Sequence, residues 1–516
     1  MRSGQSGKRG KDSFEREFER VKRTVKAGWL EEAFQLLQEM EQKSLFPMDR
    51  CYELYELMGQ LLYWLADLRE ALPYLRKAWE YPRADHSARL AALSNYLMYL
   101  HYVEGVTAEE MRAVHAAYAD VLGALPQFSH RKRKREKLRI GYLSPNLTDH
   151  IVLNFAIQLF SAYDRTRFEV CLYDIGGQHS EVTDWVAGMA DRYVDLSKSP
   201  PQKAAERIYA DETDILFDLA GHSAGGKTLQ IAAYKPAPVQ ISGIGYFNTT
   251  GLPAMDYFLG DPIVDPPEED ALFVEDILRL PQTHLCFTPS ERFREYEHLH
   301  RVPHNPIVFG SFNNFTKITD EMLGLWGAIL RRAPETRLLL KNVRPHRDIL
   351  ERMRVRAEHA GIDPAQLELR PGSRDYLRDY MDVDIILDTH PYQGGGTSCE
   401  ALFMGLPVVT MMGNRHGARF GASLLHNVGL DELIAESPTA YVERAVGLAS
   451  DPELLAALHA AIQRMVMGSP LMDGRSYVRA VEAAYEMIWE RYLNEETQQE
   501  PCRAHAQKAC TSGRKA

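Results

Sequence analysis

The chain is expected to fold as an all-α helical region followed by two doubly wound α/β halves, and three observations predict this. From about residue 13 to residue 130, apolar residues recur at helical spacing. From residue 138, short apolar runs alternate with amphipathic helical stretches, the pattern of a parallel sheet covered on both faces. That alternation halts near residues 290–305 and then restarts. A length of 516 residues agrees, since ~150 residues per domain suggests about three domains.

The elements follow in order. Residues 1–12 are polar and lack an apolar signal-like core, so they are expected to be disordered. Within the helical region, 13–130, the segments Ala27 to Met40 and Leu65 to Trp79 share a turn, a Glu-Ala pair and apolar helical spacing. Ala33 and Ala71 are equivalent in the two copies and lie 38 positions apart, close to a tetratricopeptide period of about 34 residues. Stacked helix pairs of this kind present a concave surface suited to an extended peptide. The basic run Arg131 to Lys137 reads as a solvated interdomain linker. In the first α/β half, 138–300, strands are expected at KLRIGYLSP, FEVCLYDIG, RYVDLS, DILFDLAG and PVQISGIGY, separated by helices. In the second, 301–494, strands are expected at IVFGSFN, RLLLKN, LELRP, the run ending at Asp388, and PVVTM, with a long closing helix from Gly474. Residues 495–516 are expected to be a disordered tail.

Composition narrows the partners. With 45% hydrophobic and 25% charged residues the chain can bury an ordinary core, and a net charge of −11 argues against nucleic acid as the main partner. Six cysteines show no C-x-x-C or zinc spacing, so no metal site is expected and the thiols are read as reduced. No segment reaches the length of a membrane span, and a cytoplasmic location is expected.

The most informative stretch runs from Val383 to Val409. An apolar run ends at Asp388, turns through His390-Pro391, passes Gly394-Gly395-Gly396 and enters a helix at Thr397-Ser398-Cys399-Glu400. Adjacent glycines between a strand and a helix let backbone N–H groups approach a ligand, and the helix N-terminus carries partial positive charge. Such a loop either cradles phosphate or is an ordinary Gly-rich βα turn. Cys399 is read as a small packed side chain rather than a nucleophile.

Four motifs, in order over about residues 138–490, resemble the O-linked N-acetylglucosamine transferases and SPINDLY-type proteins of glycosyltransferase family 41. They are LRIGYLSPNLTDH; DLAGHSAGG with KPAPVQISGIGYFNTTGLPAMDY; GSFNNFTKI; and the glycine loop. The resemblance implies a GT-B catalytic region of two Rossmann-like domains behind a TPR-like helical domain, inverting chemistry, and no catalytic metal or other cofactor. It implies a donor site at Asn314, Lys317, Tyr376, Gly395, Gly396, Thr397, Ser398 and Glu400, with Thr249 and Thr250 near the donor sugar. Lys317 would neutralise the leaving diphosphate, and His150 and His222 are the acid–base candidates. The ordinary alternatives are an Asx-turn at Asn314, helix caps at Thr397 and Ser398, a first-turn glutamate at Glu400, and solvated loop histidines.

The expected partners are a nucleotide-sugar donor and a protein acceptor docked by the helical region, with an exported flagellar or surface protein as a candidate. UDP-N-acetylglucosamine is the expected donor. GDP-fucose, an epimerase, and a non-catalytic TPR scaffold are the competing readings. Tyr246-Phe247-Asn248, Asn154, Thr316 and Tyr376 depart from the family pattern, at positions that bear on the choice of donor.

Overall fold

The structure is a computed structural model describing residues 3–345 and 347–494, without the side chains of residues 3–13 and 347. Six helices come first, Ser3–Lys26, Leu30–Gln42, Cys51–Trp64, Leu68–Glu80, His86–Leu100 and Ala108–Leu122. The expected disorder of residues 1–12 is corrected for residues 3–12, which are helical. Phe14, Phe18 and Val21 anchor this helix in a core with Leu37 and Phe46, and extending an anchored helix adds one backbone hydrogen bond per residue. Ala33 and Ala71 are both fully buried, as their equivalence in the two copies requires. The expected tail at 495–516 lies outside the described residues.

Both sheets are wholly parallel. The first contains β1 (Leu138–Ser144), β2 (Phe168–Asp174), β3 (Arg192–Asp195), β4 (Ile215–Asp218), β5 (Val239–Ser242), β6 (Tyr257–Gly260) and β7 (Asp276–Arg279). Their order is β3-β2-β1-β4-β5-β6-β7. The second contains β8 (Val308–Ser311), β9 (Arg337–Lys341), β10 (Leu367–Arg370), β11 (Ile385–Leu387), β12 (Val408–Met411) and β13 (Ile434–Ala435), in the order β10-β9-β8-β11-β12-β13. The strand order therefore reverses between β1 and β4 and again between β8 and β11. In doubly wound sheets ligands bind beyond the carboxyl ends of strands at such switch points.

One expectation about organisation is corrected. The closing helix Gly474–Asn494 returns to the first half instead of completing the second: Tyr485 meets Tyr142 at 3.1 Å, and Asp164 N donates to Glu482 at 2.6 Å. Its apolar stripe, including Tyr477, Val481 and Ile488, is buried there. The basic run is solvent-exposed, as expected, and two of its arginines are tied to the first half. Arg133 pairs with Glu212 at 2.5 Å and Arg135 with Asp214 at 2.9 Å, because local acidic residues on the first half match its charge. Among the described residues no single helix is long and apolar enough to cross a membrane.

Candidate active site

The loops after β8 and β11 converge on one lysine. Beyond β8 the chain passes Asn313 and enters the short 3-10 helix Phe315–Lys317. Lys317 donates from Nζ to the carbonyl of Gln393 at 3.0 Å and to Asn313 Oδ1 at 3.3 Å. The same Asn313 oxygen accepts the Thr397 hydroxyl at 2.9 Å. Enclosure of the ammonium pushes its pKa down from 10.5 to about 8, with the nearby Asp388 carboxylate pulling the other way. Lys317 is thus a cation at neutral pH, with little water to screen it, at the start of the glycine loop.

Asp388 organises that loop. Its carboxylate accepts the backbone N–H groups of Thr389 at 2.9 Å and Gly394 at 2.8 Å, and the Thr410 hydroxyl at 2.8 Å. Burial raises its pKa while these donors favour the ionised form. Gln393 fastens the other side, accepting Gly421 N at 2.7 Å. The helix Gly396–Phe403 then starts with its N-terminus toward the first half. A Cβ on Gly396 would lie 2.4 Å from Ile151 Cγ1, so the two loops meet with room for no side chain at that point.

Glu400, one turn into this helix, is 6% exposed, and its carboxylate accepts the hydroxyls of Tyr376 at 2.6 Å and Tyr380 at 3.1 Å. Burial raises its pKa to about 7, against the lowering effect of the two phenols and of Arg292. Tyr380 stacks on Phe312 with ring centres 4.1 Å apart. Cys399 is fully buried with its thiol pKa raised by burial, in keeping with a packed side chain.

His150 faces this assembly from the carboxyl end of β1. It is solvent-exposed and caps the helix Ile151–Ser161, its Nδ1 accepting Val152 N–H at 3.2 Å. The surrounding protein nonetheless lowers its pKa, partly offset by Asp149. Because Nδ1 accepts, the neutral ring carries its proton on Nε2 and presents a donor to solvent. Arg292, from the connection between the halves, pairs with Asp149 at 2.5 Å.

Three expectations are redirected. His222 is fully buried, its Nε2 donating to Thr250 O at 2.8 Å and its Nδ1 accepting from Ser94 Oγ at 2.9 Å. With both nitrogens occupied and its pKa held well below 6.5 by burial, it welds the helical region to the first half instead of exchanging protons in a cleft. Thr249 and Thr250 are also fully buried, both hydroxyls donating to Glu275, at 2.6 Å from Thr249. Asn314 makes the Asx-turn, accepting Thr316 N at 3.3 Å, and its neighbour Asn313 makes the contacts to Lys317 and Thr397. Tyr376, Gly395, Gly396, Thr397, Ser398 and Glu400 are brought together around Lys317 and the helix start.

Sequence reasoning missed Asp388, Asn313, Gln393, Tyr380 and Arg292. Two had a readable signal: Asp388 ends the strand of the singled-out motif, and Tyr380 follows Tyr376 at the four-residue spacing that shares a helical face. Among the described residues no group of three or more His, Cys, Asp or Glu side chains is placed to hold a metal ion.

The chain matches the sequence model of Glycosyl transferase family 41 over residues 118–300 and 288–481. It is 35% identical over 425 residues to a tomato (Solanum lycopersicum) protein named probable UDP-N-acetylglucosamine–peptide N-acetylglucosaminyltransferase SPINDLY, covering 80% of this chain and 45% of that relative. The UDP-N-acetylglucosamine–peptide N-acetylglucosaminyltransferase of Caenorhabditis elegans is 23% identical over 475 residues, covering 69% of this chain and 41% of that relative. The chain therefore spans less than half the length of these curated relatives. Among solved structures, a mutant O-GlcNAc transferase from Thermobaculum terrenum superposes with a TM-score of 0.81 at 30% identity, covering 91% of this chain and 89% of that one.

Proposed function

Because the chain belongs to glycosyltransferase family 41, we propose that it is an inverting, metal-independent protein O-glycosyltransferase that moves N-acetylglucosamine from UDP-N-acetylglucosamine to serine or threonine hydroxyls. The observation that carries this reading is Lys317, held at the carbonyl of Gln393 where the glycine loop begins. In the transfer the acceptor hydroxyl oxygen bonds to the anomeric carbon from the face opposite the diphosphate, giving up its proton to a base or to the departing diphosphate. The bond between the anomeric carbon and the diphosphate breaks, and negative charge develops on the leaving oxygen. Lys317 and the N–H groups that open the helix Gly396–Phe403 would stabilise that charge, with no solvent reorganisation required at the moment of reaction. Glu400, oriented by Tyr376 and Tyr380, would take the donor ribose, and His150 Nε2–H would meet a donor oxygen from the opposite wall.

The names of the relatives support UDP-N-acetylglucosamine as donor and peptide as acceptor. The helical region would dock the acceptor, with a flagellar or surface protein modified before export as the candidate. Free thiols at Cys51, Cys171, Cys286 and Cys399 support a reducing, cytoplasmic setting.

Purified protein incubated with single nucleotide sugars should release UDP from UDP-N-acetylglucosamine, and Lys317→Ala should abolish that release. Intact-mass analysis of a co-expressed acceptor should show a HexNAc increment. A deoxyhexose increment would assign GDP-fucose instead. Absence of both turnover and any donor-induced shift in melting temperature would leave a non-catalytic scaffold.

A further inference from the structure

We propose that Tyr392 is the positioning residue for Lys317, and that the helical region takes part in catalysis by holding Tyr392 in place through Tyr102. This inference rests on the transferase reading above. The Lys317 ammonium lies 4.5 Å from the centre of the Tyr392 ring, while its hydrogen bonds go to Gln393 O and Asn313 Oδ1. An aromatic face attracts the cation without neutralising it. A carboxylate there would spend the charge that the diphosphate needs, and the nearest one, Asp388, is committed to Thr389, Gly394 and Thr410.

Tyr392 is itself fixed by two aromatic neighbours. It is 5% exposed, its ring centre 4.6 Å from that of Tyr102 and 5.5 Å from that of Phe247. Tyr102 is 7% exposed and lies just beyond the helix His86–Leu100. The backbone on either side of Tyr102 is bolted to the second half. Arg415 donates to His101 O at 3.0 Å and to Val106 O at 2.9 Å. One apolar cluster runs from Leu97 and Tyr118 through Leu229 and Leu252 to Tyr392. A lysine side chain has many rotamers, and a catalytic cation gains from being held before substrate arrives. The contact series Tyr102–Tyr392–Lys317 provides that restraint, and one of its members belongs to the region otherwise read as a peptide dock.

The test uses the full chain with Tyr392→Leu, Tyr392→Phe and Tyr102→Leu, each alone and with Lys317→Ala. The readouts are donor kcat/KM and the affinity for UDP alone. Tyr392→Leu should lower kcat/KM by about 10- to 100-fold, Tyr392→Phe should recover most of that loss, and Tyr102→Leu should give a smaller loss of the same kind. In the Lys317→Ala background, Tyr392→Leu should cost no further UDP affinity, because both changes act through the same cation. Equal activity in the Leu and Phe variants, or fully additive losses of affinity, would overturn the proposal. If Tyr392→Leu does not fold, Tyr102→Leu against Tyr102→Phe decides it by the same cycle. A wild-type chain that turns over no nucleotide sugar refutes the transferase reading itself, whereas turnover that is indifferent to Tyr392 and Tyr102 refutes only this one.

Discussion

Lys317 and Glu400 set the pH range in which the proposed donor site can work. Burial brings the lysine down to about 8, so in the empty site it loses its proton above that pH. The carboxyl of Glu400, raised to about 7, becomes a full acceptor only above that value. Because kcat/KM reports groups of the free enzyme, its profile should be bell-shaped, with limbs near 7 and 8. Lys317→Arg should carry the alkaline limb out of range, and Glu400→Gln should remove the acid limb. A flat profile across pH 6–9 would refute these assignments. Lys317 and Glu400 were singled out by the family resemblance, while the glycine loop was readable from its place between a strand and a helix. The choice between Asn313 and Asn314 was not, because adjacent residues point in different directions and only the 3-10 turn selects which one reaches Lys317. His222 was misread for a related reason: a histidine after a strand reads alike whether its loop faces a cleft or a neighbouring domain.

At the scale of elements, the opening of the helix Gly396–Phe403 against Ile151 is the tightest feature of the cleft. A Cβ at residue 396 would meet Ile151 Cγ1 at 2.4 Å and Cδ1 at 2.5 Å. Ile151 is 36% exposed, so it can move aside at little cost to stability. Gly396→Ala should therefore raise donor KM several-fold while changing stability by less than about 1 kcal/mol. Gly396→Ala with Ile151→Val should recover part of the KM, and no recovery would place the effect in the loop backbone. Gly251 makes the contrast. Its φ is +65°, and a Cβ there would lie 1.9 Å from the His115 carbonyl, so Gly251→Ala should cost about 1–3 kcal/mol of stability, seen as a clearly lowered melting temperature. Strands β1 and β2 were legible from their long apolar runs. The strands β6 and β7 were not, since no α-helix separates them from β5 or from each other to mark the alternation, and the two-residue β13 is too short to establish a period.

For the molecule as a whole, the helical region grips both halves. Arg352 of the second half pairs with Asp67 at 2.6 Å, and Arg356 donates to Ala66 O at 3.1 Å. On the first half, Tyr246 is held by His101 at 3.1 Å and by His115, while His222 is held by Ser94. Burial keeps all three histidines neutral, His115 down to about 4 and the others well below 6.5. Their folded pKa values lie below the unfolded one, so the unfolded chain binds more protons. The stability each contributes is complete above about pH 6.5 and is lost as pH falls toward its folded value, at about 1.4 kcal/mol per pH unit. A His115→Asn chain lacks that penalty. Its deficit in melting temperature relative to the natural chain should be largest at pH 7.5 and shrink toward pH 5, and a constant deficit would rule the junction out as the acid-sensitive element.

By itself the sequence determined the helical region, the two α/β halves and the glycine loop, because hydrophobic period and turn chemistry are local properties that the chain carries wherever it folds, whereas Lys317 entered through the family resemblance. Only the tertiary structure decided what those parts face. It turned His222, Thr249 and Thr250 inward to the domain junction, and put Asp388 and Asn313 behind the loop. It returned the closing helix to the first half, and set Tyr102 and Tyr392 against Lys317. Each of these is a contact between residues far apart in the chain, chosen by which apolar faces bury one another and which buried polar atoms find partners, and no local pattern encodes that choice.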